Sequence, residues 1–285
     1  MAAEAAPSRK VVIAFYSLTG NTKHVSEKIG DVLRSHNLTV DLLDVTGPEI
    51  ASPPSTAFQT ADVIGIGSIA WAFRPPTALS AYVQAIPAEH VKGKPVFVFA
   101  SMGGNEGGCV GHLVQSLQAK GGVFIGGKAF AAPGNYSAGT PKKTTNQIQV
   151  WPSEERNKIT VFAEQLVESL KAQPPAAKSY GRSLKGWLGS MVSDKMCKAG
   201  VGDPVLTDKS LCQRCGKCMN GCPQNAITFN RDVEDSYPVV DSNKCIGCCR
   251  CVNLCPKGCL KSSKAPEATQ YKFSPEVLVD GPVSL

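Results

Sequence analysis

The sequence predicts an α/β fold: a doubly wound sheet of five parallel strands, followed by a small cysteine-rich α+β module. Three features predict it. Short apolar runs alternate with helix-periodic stretches through the first 172 residues. A loop rich in glycine and hydroxyls joins the first run to the first helix. After residue 200 one cysteine run occurs twice with the same internal spacing.

Residues 11–16 form a continuous apolar run, the pattern of a strand buried on both faces. Residues 22–36 carry Val25, Ile29, Val32 and Leu33 at helical spacing. Further strands are expected at 38–43, 61–67, 96–100 and 123–129. Helices are expected between them at 76–86 and 109–120. A last helix is expected at 153–171, where Ser153 precedes Glu154 and Glu155 in a capping pattern. Strands alternating with helices argue for parallel pairing on a sheet covered on both faces.

Two prolines in the stretch 173–178 stop the helix. The domain division expected is therefore 10–172 for the α/β domain, 173–199 for a linker, 200–264 for the cysteine module and 265–285 for a tail. Within the linker, Leu184, Trp187, Leu188, Met191 and Val192 fit one face of a helix that could dock the two domains or lie on a membrane surface. The last twenty residues are irregular and suited to wrapping a surface.

Apolar residues make up 42% and charged residues 19% of the chain, as in soluble globular proteins. No apolar run approaches the roughly 18–20 residues that span a bilayer. No signal core is visible near the start, so a cytoplasmic setting is expected. The formal charge is +7, of which the part after residue 172 contributes +5. No basic run interleaves with aromatics, which excludes a nucleic-acid-binding reading. The expected partners are redox proteins, with no membrane span.

Of the twelve cysteines, nine fall between Cys212 and Cys255. A disulfide framework spreads its bridges through the fold, so this crowding points to metal. The first run is Cys212, Cys215, Cys218 and Cys222, followed by Pro223. The second is Cys245, Cys248, Cys251 and Cys255, followed by Pro256, 33 residues later. Ligands at every third residue let a loop wrap three corners of an iron–sulfur cube, while the fourth cysteine serves the other cube. Cys212, Cys215, Cys218 and Cys255 would hold one [4Fe–4S] cluster, and Cys245, Cys248, Cys251 and Cys222 the second. Zinc would call for isolated pairs instead. Cys249 and Cys259 fall off the repeat and are expected to be non-ligands, as are Cys109 and Cys197.

The loop Ser17, Leu18, Thr19, Gly20, Asn21 and Thr22 opens the first helix. A phosphate can rest there on helix N–H groups and the positive end of the dipole. It lacks both G-K-[ST] and G-x-G-x-x-G, which disfavours a Mg-nucleotide and a dinucleotide. A monophosphate such as that of FMN fits. Two further loops belong at carboxyl ends of strands. One carries Trp71 and Phe73, the other Gly103, Gly104 and Asn105.

The cysteine runs resemble those of two-cluster ferredoxins at all eight ligand positions, and the first loop resembles the phosphate loop of flavodoxins. The whole of residues 10–263 resembles fused flavodoxin–ferredoxin proteins. That resemblance implies a flavodoxin-like sheet in the order 2-1-3-4-5, then a two-cluster ferredoxin domain. It implies FMN and two [4Fe–4S] clusters, with Trp71, or else Phe73, stacking on the flavin ring. Many flavodoxins place a second aromatic where this chain has Gly103 and Gly104. Tyr136 is the candidate substitute. Three functions remain open: an electron carrier, an oxidoreductase reducing a small acceptor such as a quinone at the flavin, and a redox sensor. No catalytic acid–base group stands out, since His24, His36, His90 and His112 are scattered.

Overall fold

A computed structural model describes residues 8–47, 50, 56–134, 151, 153–172, 174–181, 194–268 and 270–273. The docking helix expected at 184–192, Tyr136 and the Ser153 side chain lie outside the described residues.

Five parallel strands form one sheet: β1 (Lys10–Phe15), β2 (Thr39–Asp44), β3 (Val63–Ile69), β4 (Pro95–Met102) and β5 (Val123–Ala131), in the order β2-β1-β3-β4-β5. This is the flavodoxin-like order. Helices α1 (Asn21–Ser35), α3 (Thr77–Ala85), α4 (Cys109–Gln118) and α5 (Ser153–Lys171) cover it, and a short α2 (Ala57–Thr60) joins β2 to β3.

The burial of β1 explains why the run is continuously apolar. Val12, Ala14 and Tyr16 face one core with residues of α3 and α4, while Val11 and Ile13 face another with residues of α1 and α5. The period of two along a strand sorts one run into two cores. On the α1/α5 face the cross-strand partners are uneven in size. A Cβ on Gly65 would lie 2.4 Å from the Phe97 ring, and one on Gly67 would lie 2.5 Å from the Phe99 ring. These glycines leave room for two phenylalanines on the next strand.

The observed elements follow the expected ones with shifts of one or two residues at most boundaries. α5 begins at Ser153 and ends at Lys171 as the pattern predicts. The short α2 was not anticipated, because four residues carry no periodic signal.

Beyond the sheet, α6 (Asp194–Val201) spans the boundary expected at residue 200. Two short antiparallel pairs follow, β6 (Pro204–Leu206) with β9 (Leu260–Ser262) and β7 (Ile227–Thr228) with β8 (Val239–Val240). Two single-turn helices, α7 (Lys217–Asn220) and α8 (Arg250–Leu254), sit 33 residues apart, one in each cysteine run. The repeat extends to the backbone. Left-handed residues recur at the same offset: Arg214 with Gly247, Gly216 with Cys249, and Asn225 with Gly258.

Candidate functional site

The repeated runs wrap two separate cavities. Cys212, Cys215, Cys218 and Cys255 line the first, which is called the outer cavity here, together with Cys259. Cys245, Cys248, Cys251 and Cys222 line the inner cavity, together with Cys249. Each cavity thus takes three cysteines from one run and the last cysteine of the other. The empty space within them, part of it open to solvent, is about 440 Å³ (inner) and about 370 Å³ (outer), so the two repeats frame spaces of similar size. None of the twelve cysteines forms a disulfide. Among the described residues no three His, Cys, Asp or Glu side chains converge tightly enough to hold a single ion. Thiols spread around a cavity suit a multi-iron guest better than one zinc ion.

Burial sets the chemistry of these thiols. It pushes Cys248 up to about 12 and Cys218 up to about 11, and it raises Cys251 well above the usual thiol value. Buried thiols this basic stay protonated at neutral pH and release protons only to a metal that compensates the charge. Cavity-lining sulfurs also receive backbone N–H groups, from Ala226 to Cys222 at 3.3 Å and from Gly247 to Cys245 at 3.4 Å. Such bonds are one means by which a protein tunes a cluster.

The surplus cysteines each have a structural explanation. Cys249 stands at the repeat position of Gly216, in a left-handed turn with φ 55°. Its thiol turns back to the Gly247 carbonyl at 3.7 Å. The Cys259 sulfur lies 3.3 Å from that of Cys255, at the edge of the outer cavity. Cys109 is buried in the α4 face of the sheet, its thiol donating to the Ile69 carbonyl at 3.4 Å. Cys197 packs beside the same core cluster from α6.

The loop before α1 has anion-binding geometry. Gly20 takes φ 106° at the helix N-cap, a conformation closed to other residues at low cost. A Cβ there would also lie 2.9 Å from the Phe273 ring. The N–H groups of Leu18, Thr19, Asn21 and Thr22 have no partner among the described residues. No acidic residue occupies the first turn of α1. These orphan donors and the dipole fit a phosphate.

The side chains of this loop play a different part from the expected one. The Ser17 hydroxyl accepts from the N–H groups of Gly20 and Lys23, both at 3.2 Å. The Thr22 hydroxyl is fully buried and pairs with that of Ser101 at 2.9 Å. The Asn21 amide donates to the Pro133 carbonyl at 2.8 Å and accepts from Trp151 at 3.2 Å and Tyr271 at 2.7 Å. They brace the loop from within and leave its backbone, with the Thr19 hydroxyl, to face a ligand. Sequence reasoning missed Tyr271 and Trp151 here, because partners 130 and 250 positions from Asn21 leave no local pattern.

The other two loops divide similarly. Trp71 is 3% exposed and packs into the core that contains Tyr16 and Leu79, whereas Phe73 is 44% exposed. The turn between Trp71 and Arg74 has Ala72 and Phe73 both at positive φ, 51° and 64°. Left-handed backbone at a bulky aromatic is costly and concentrates at functional sites. Gly103, Gly104 and Asn105 are exposed, and Asn105 Oδ1 accepts from Gly107 N–H at 2.8 Å. A side chain on Gly104 would meet nothing within 4 Å.

The two modules touch at the loop before α1. Arg250 Nη1 donates to the carbonyls of Ser17 at 2.7 Å and Leu18 at 2.5 Å. Cys248 is buried in the core cluster that includes Tyr16 and Leu18. The inner cavity is therefore the one that faces the sheet, while Cys215 of the outer cavity is exposed.

Residues 204–256 match the family of 4Fe-4S dicluster domains. The α/β part is similar to flavodoxin 1 from Bacillus cereus, at 22% identity over 56% of this chain and 97% of that one, with a TM-score of 0.43. It is also similar to a flavodoxin from the Archaea, at 16% identity over 57% of this chain and 99% of that one, with a TM-score of 0.44. A third similar structure is rubredoxin oxygen:oxidoreductase from Desulfovibrio gigas, at 17% identity over 60% of this chain and 38% of that one, with a TM-score of 0.45. No curated protein sequence matches the chain. Strand order and cysteine spacing define a two-module class, a flavodoxin-like sheet followed by a dicluster ferredoxin-type domain. Among the described residues no helix is long and apolar enough to cross a membrane.

Proposed function

We propose that the chain is an electron-transfer protein carrying two [4Fe–4S] clusters and one FMN. Residues 10–172 would form the flavin domain and 200–264 the cluster domain. Cys212, Cys215, Cys218 and Cys255 hold one cluster in the outer cavity, and Cys245, Cys248, Cys251 and Cys222 hold the other in the inner cavity. The observation that carries this reading is the exchange of fourth cysteines between two cavities of similar size. When bound, the clusters exchange single electrons and the flavin takes one or two.

The chain's own residues do the holding. The N–H groups of Leu18, Thr19, Asn21 and Thr22 take the phosphate, with Thr19 Oγ1 as the one hydroxyl to spare. Ser17, Thr22 and Asn21 keep those donors aimed. Phe73, at the exposed rim, would be the aromatic open to the isoalloxazine, since Trp71 is buried in the core. Gly103 and Gly104 admit the ring edge. The exposed Cys215 marks the side on which an external redox protein exchanges electrons. A cytoplasmic setting would keep the thiols reduced for cluster assembly.

Oxygen-free reconstitution of the full chain tests this. Two full cubes of iron and sulfide and one flavin per chain are expected, with reduced clusters passing electrons on to the flavin. Clusters that reduce while the flavin stays oxidised would refute it. Steady turnover of a quinone by the loaded chain would move the reading to an oxidoreductase acting at the exposed Gly103–Asn105 rim.

A further inference from the structure

Arg250 had no role in the sequence reading, yet its side chain bonds the cluster module to the loop before α1. It opens α8 between two cysteines of the inner cavity, Cys248 and Cys251. From there its guanidinium reaches the carbonyls of Ser17 and Leu18, in the loop that presents the orphan N–H groups. The side chain is half-buried, so solvent screens this contact only in part. Both bonds come from Nη1, whose two N–H donors lie in the guanidinium plane and serve two adjacent carbonyls.

The internal repeat supplies a comparison within the same molecule. Lys217 occupies in the first run the position of Arg250 in the second. Lys217 is exposed, and no hydrogen bond or ion pair engages its side chain among the described residues. One repeat position thus carries a free cation on the outer side and an anchored one on the inner side.

We propose that Arg250 is a positioning residue for electron exchange between the modules, fixing the inner-cavity cluster against the flavin phosphate loop. The proposal rests on the electron-transfer reading above. It also orders the path: external partner, outer cluster, inner cluster, flavin. With both groups bound, the step would move one electron from the inner cluster to the flavin, with no bond made or broken. Its rate would depend on a fixed separation of the two centres, which the paired bonds from Arg250 Nη1 provide and a loose contact does not.

The test compares the wild-type chain with Arg250→Met, Arg250→Lys and Lys217→Met, all loaded anaerobically. Flash photoreduction follows the passage of electrons from clusters to flavin. Hydrogen exchange follows protection of residues 17–22. Arg250→Met is expected to keep its iron, slow the internal step at least ten-fold and expose the loop. Arg250→Lys should recover part of both, and Lys217→Met should change neither. An unchanged internal rate in Arg250→Met, or an equal loss in Lys217→Met, overturns the proposal. Should Arg250→Met lose iron, Arg250→Lys decides: full iron with wild-type rate and protection also overturns it. A wild-type chain that takes up no iron or no flavin refutes the electron-transfer reading instead.

Discussion

Cys249 and Cys259 pose the sharpest question about single residues, since each lines a cavity beside four other thiols. The backbone answers it for Cys249. Its position in the repeat belongs to Gly216, where a left-handed turn is needed and no side chain exists to act as a ligand. Cys259 lies outside both runs, and its thiol rests against Cys255 at 3.3 Å. Cys249→Ser and Cys259→Ser should therefore keep the full complement of iron and sulfide, while Cys218→Ser and Cys251→Ser should each lose most of one cube. Iron and sulfide assays with EPR of the reduced chains check this. Loss of iron in Cys249→Ser as large as in Cys251→Ser would show that the repeat has been misread.

At the scale of elements, α1 shows how much the sequence disclosed. Its apolar spacing, its preceding strand and its glycine-hydroxyl loop were all legible, because they depend on neighbours within a few residues. The strand order and both cysteine cavities were legible too, the first from the loop's type and the second from a repeat. What packs on the first turn of α1 was not. His24 is 5% exposed and lies 5.5 Å, centre to centre, from both Trp151 and Phe273. Those rings come from distant segments, and contacts of that range have no local signature. The same reason hid Arg250 and led the sequence to favour Trp71, which is buried, over Phe73, which is exposed. This packing has a consequence for pH. Burial lowers the pKa of His24, and the nearby charges of Lys28 and Arg156 lower it further against a weaker pull from Asp31. The folded chain thus holds His24 neutral where the unfolded chain, with a value of about 6.5, takes a proton. Stability from this residue is complete above about pH 6.5 and declines below it, by at most about 1.4 kcal/mol per pH unit. Urea unfolding of flavin-free chain at pH 7.5 and pH 6 should show that loss. His24→Phe should show less of it, and an equal loss in both chains would rule His24 out as its source.

The whole molecule is asymmetric in what holds it together. The sheet domain has two extended apolar cores filled by Val, Ile, Leu and Phe. The C-terminal module has one small cluster, and six of its eleven buried residues are cysteines. Its strands pair over only two or three residues. A module of this size with so little apolar core relies on its metal for folding. Stripping iron with a chelator and an oxidant should then unfold residues 204–262 while β1–β5 stay protected, as hydrogen exchange would read. The loss should not stop at the module. α8 carries Arg250 to the Ser17 and Leu18 carbonyls. Gln270 ties the following segment to the Val252 and Cys255 carbonyls. Tyr271 and Phe273 then reach Asn21 and Gly20. Arg250, Tyr271 and Phe273 thus brace the loop before α1 from the cluster side. Iron removal should accordingly weaken flavin binding about ten-fold or more, although no ligand of the flavin is touched. Fluorescence titration of the stripped and loaded chains with FMN measures the difference. Equal affinities would mean that the sheet domain shapes its flavin loop alone and that the two modules are joined without being coupled.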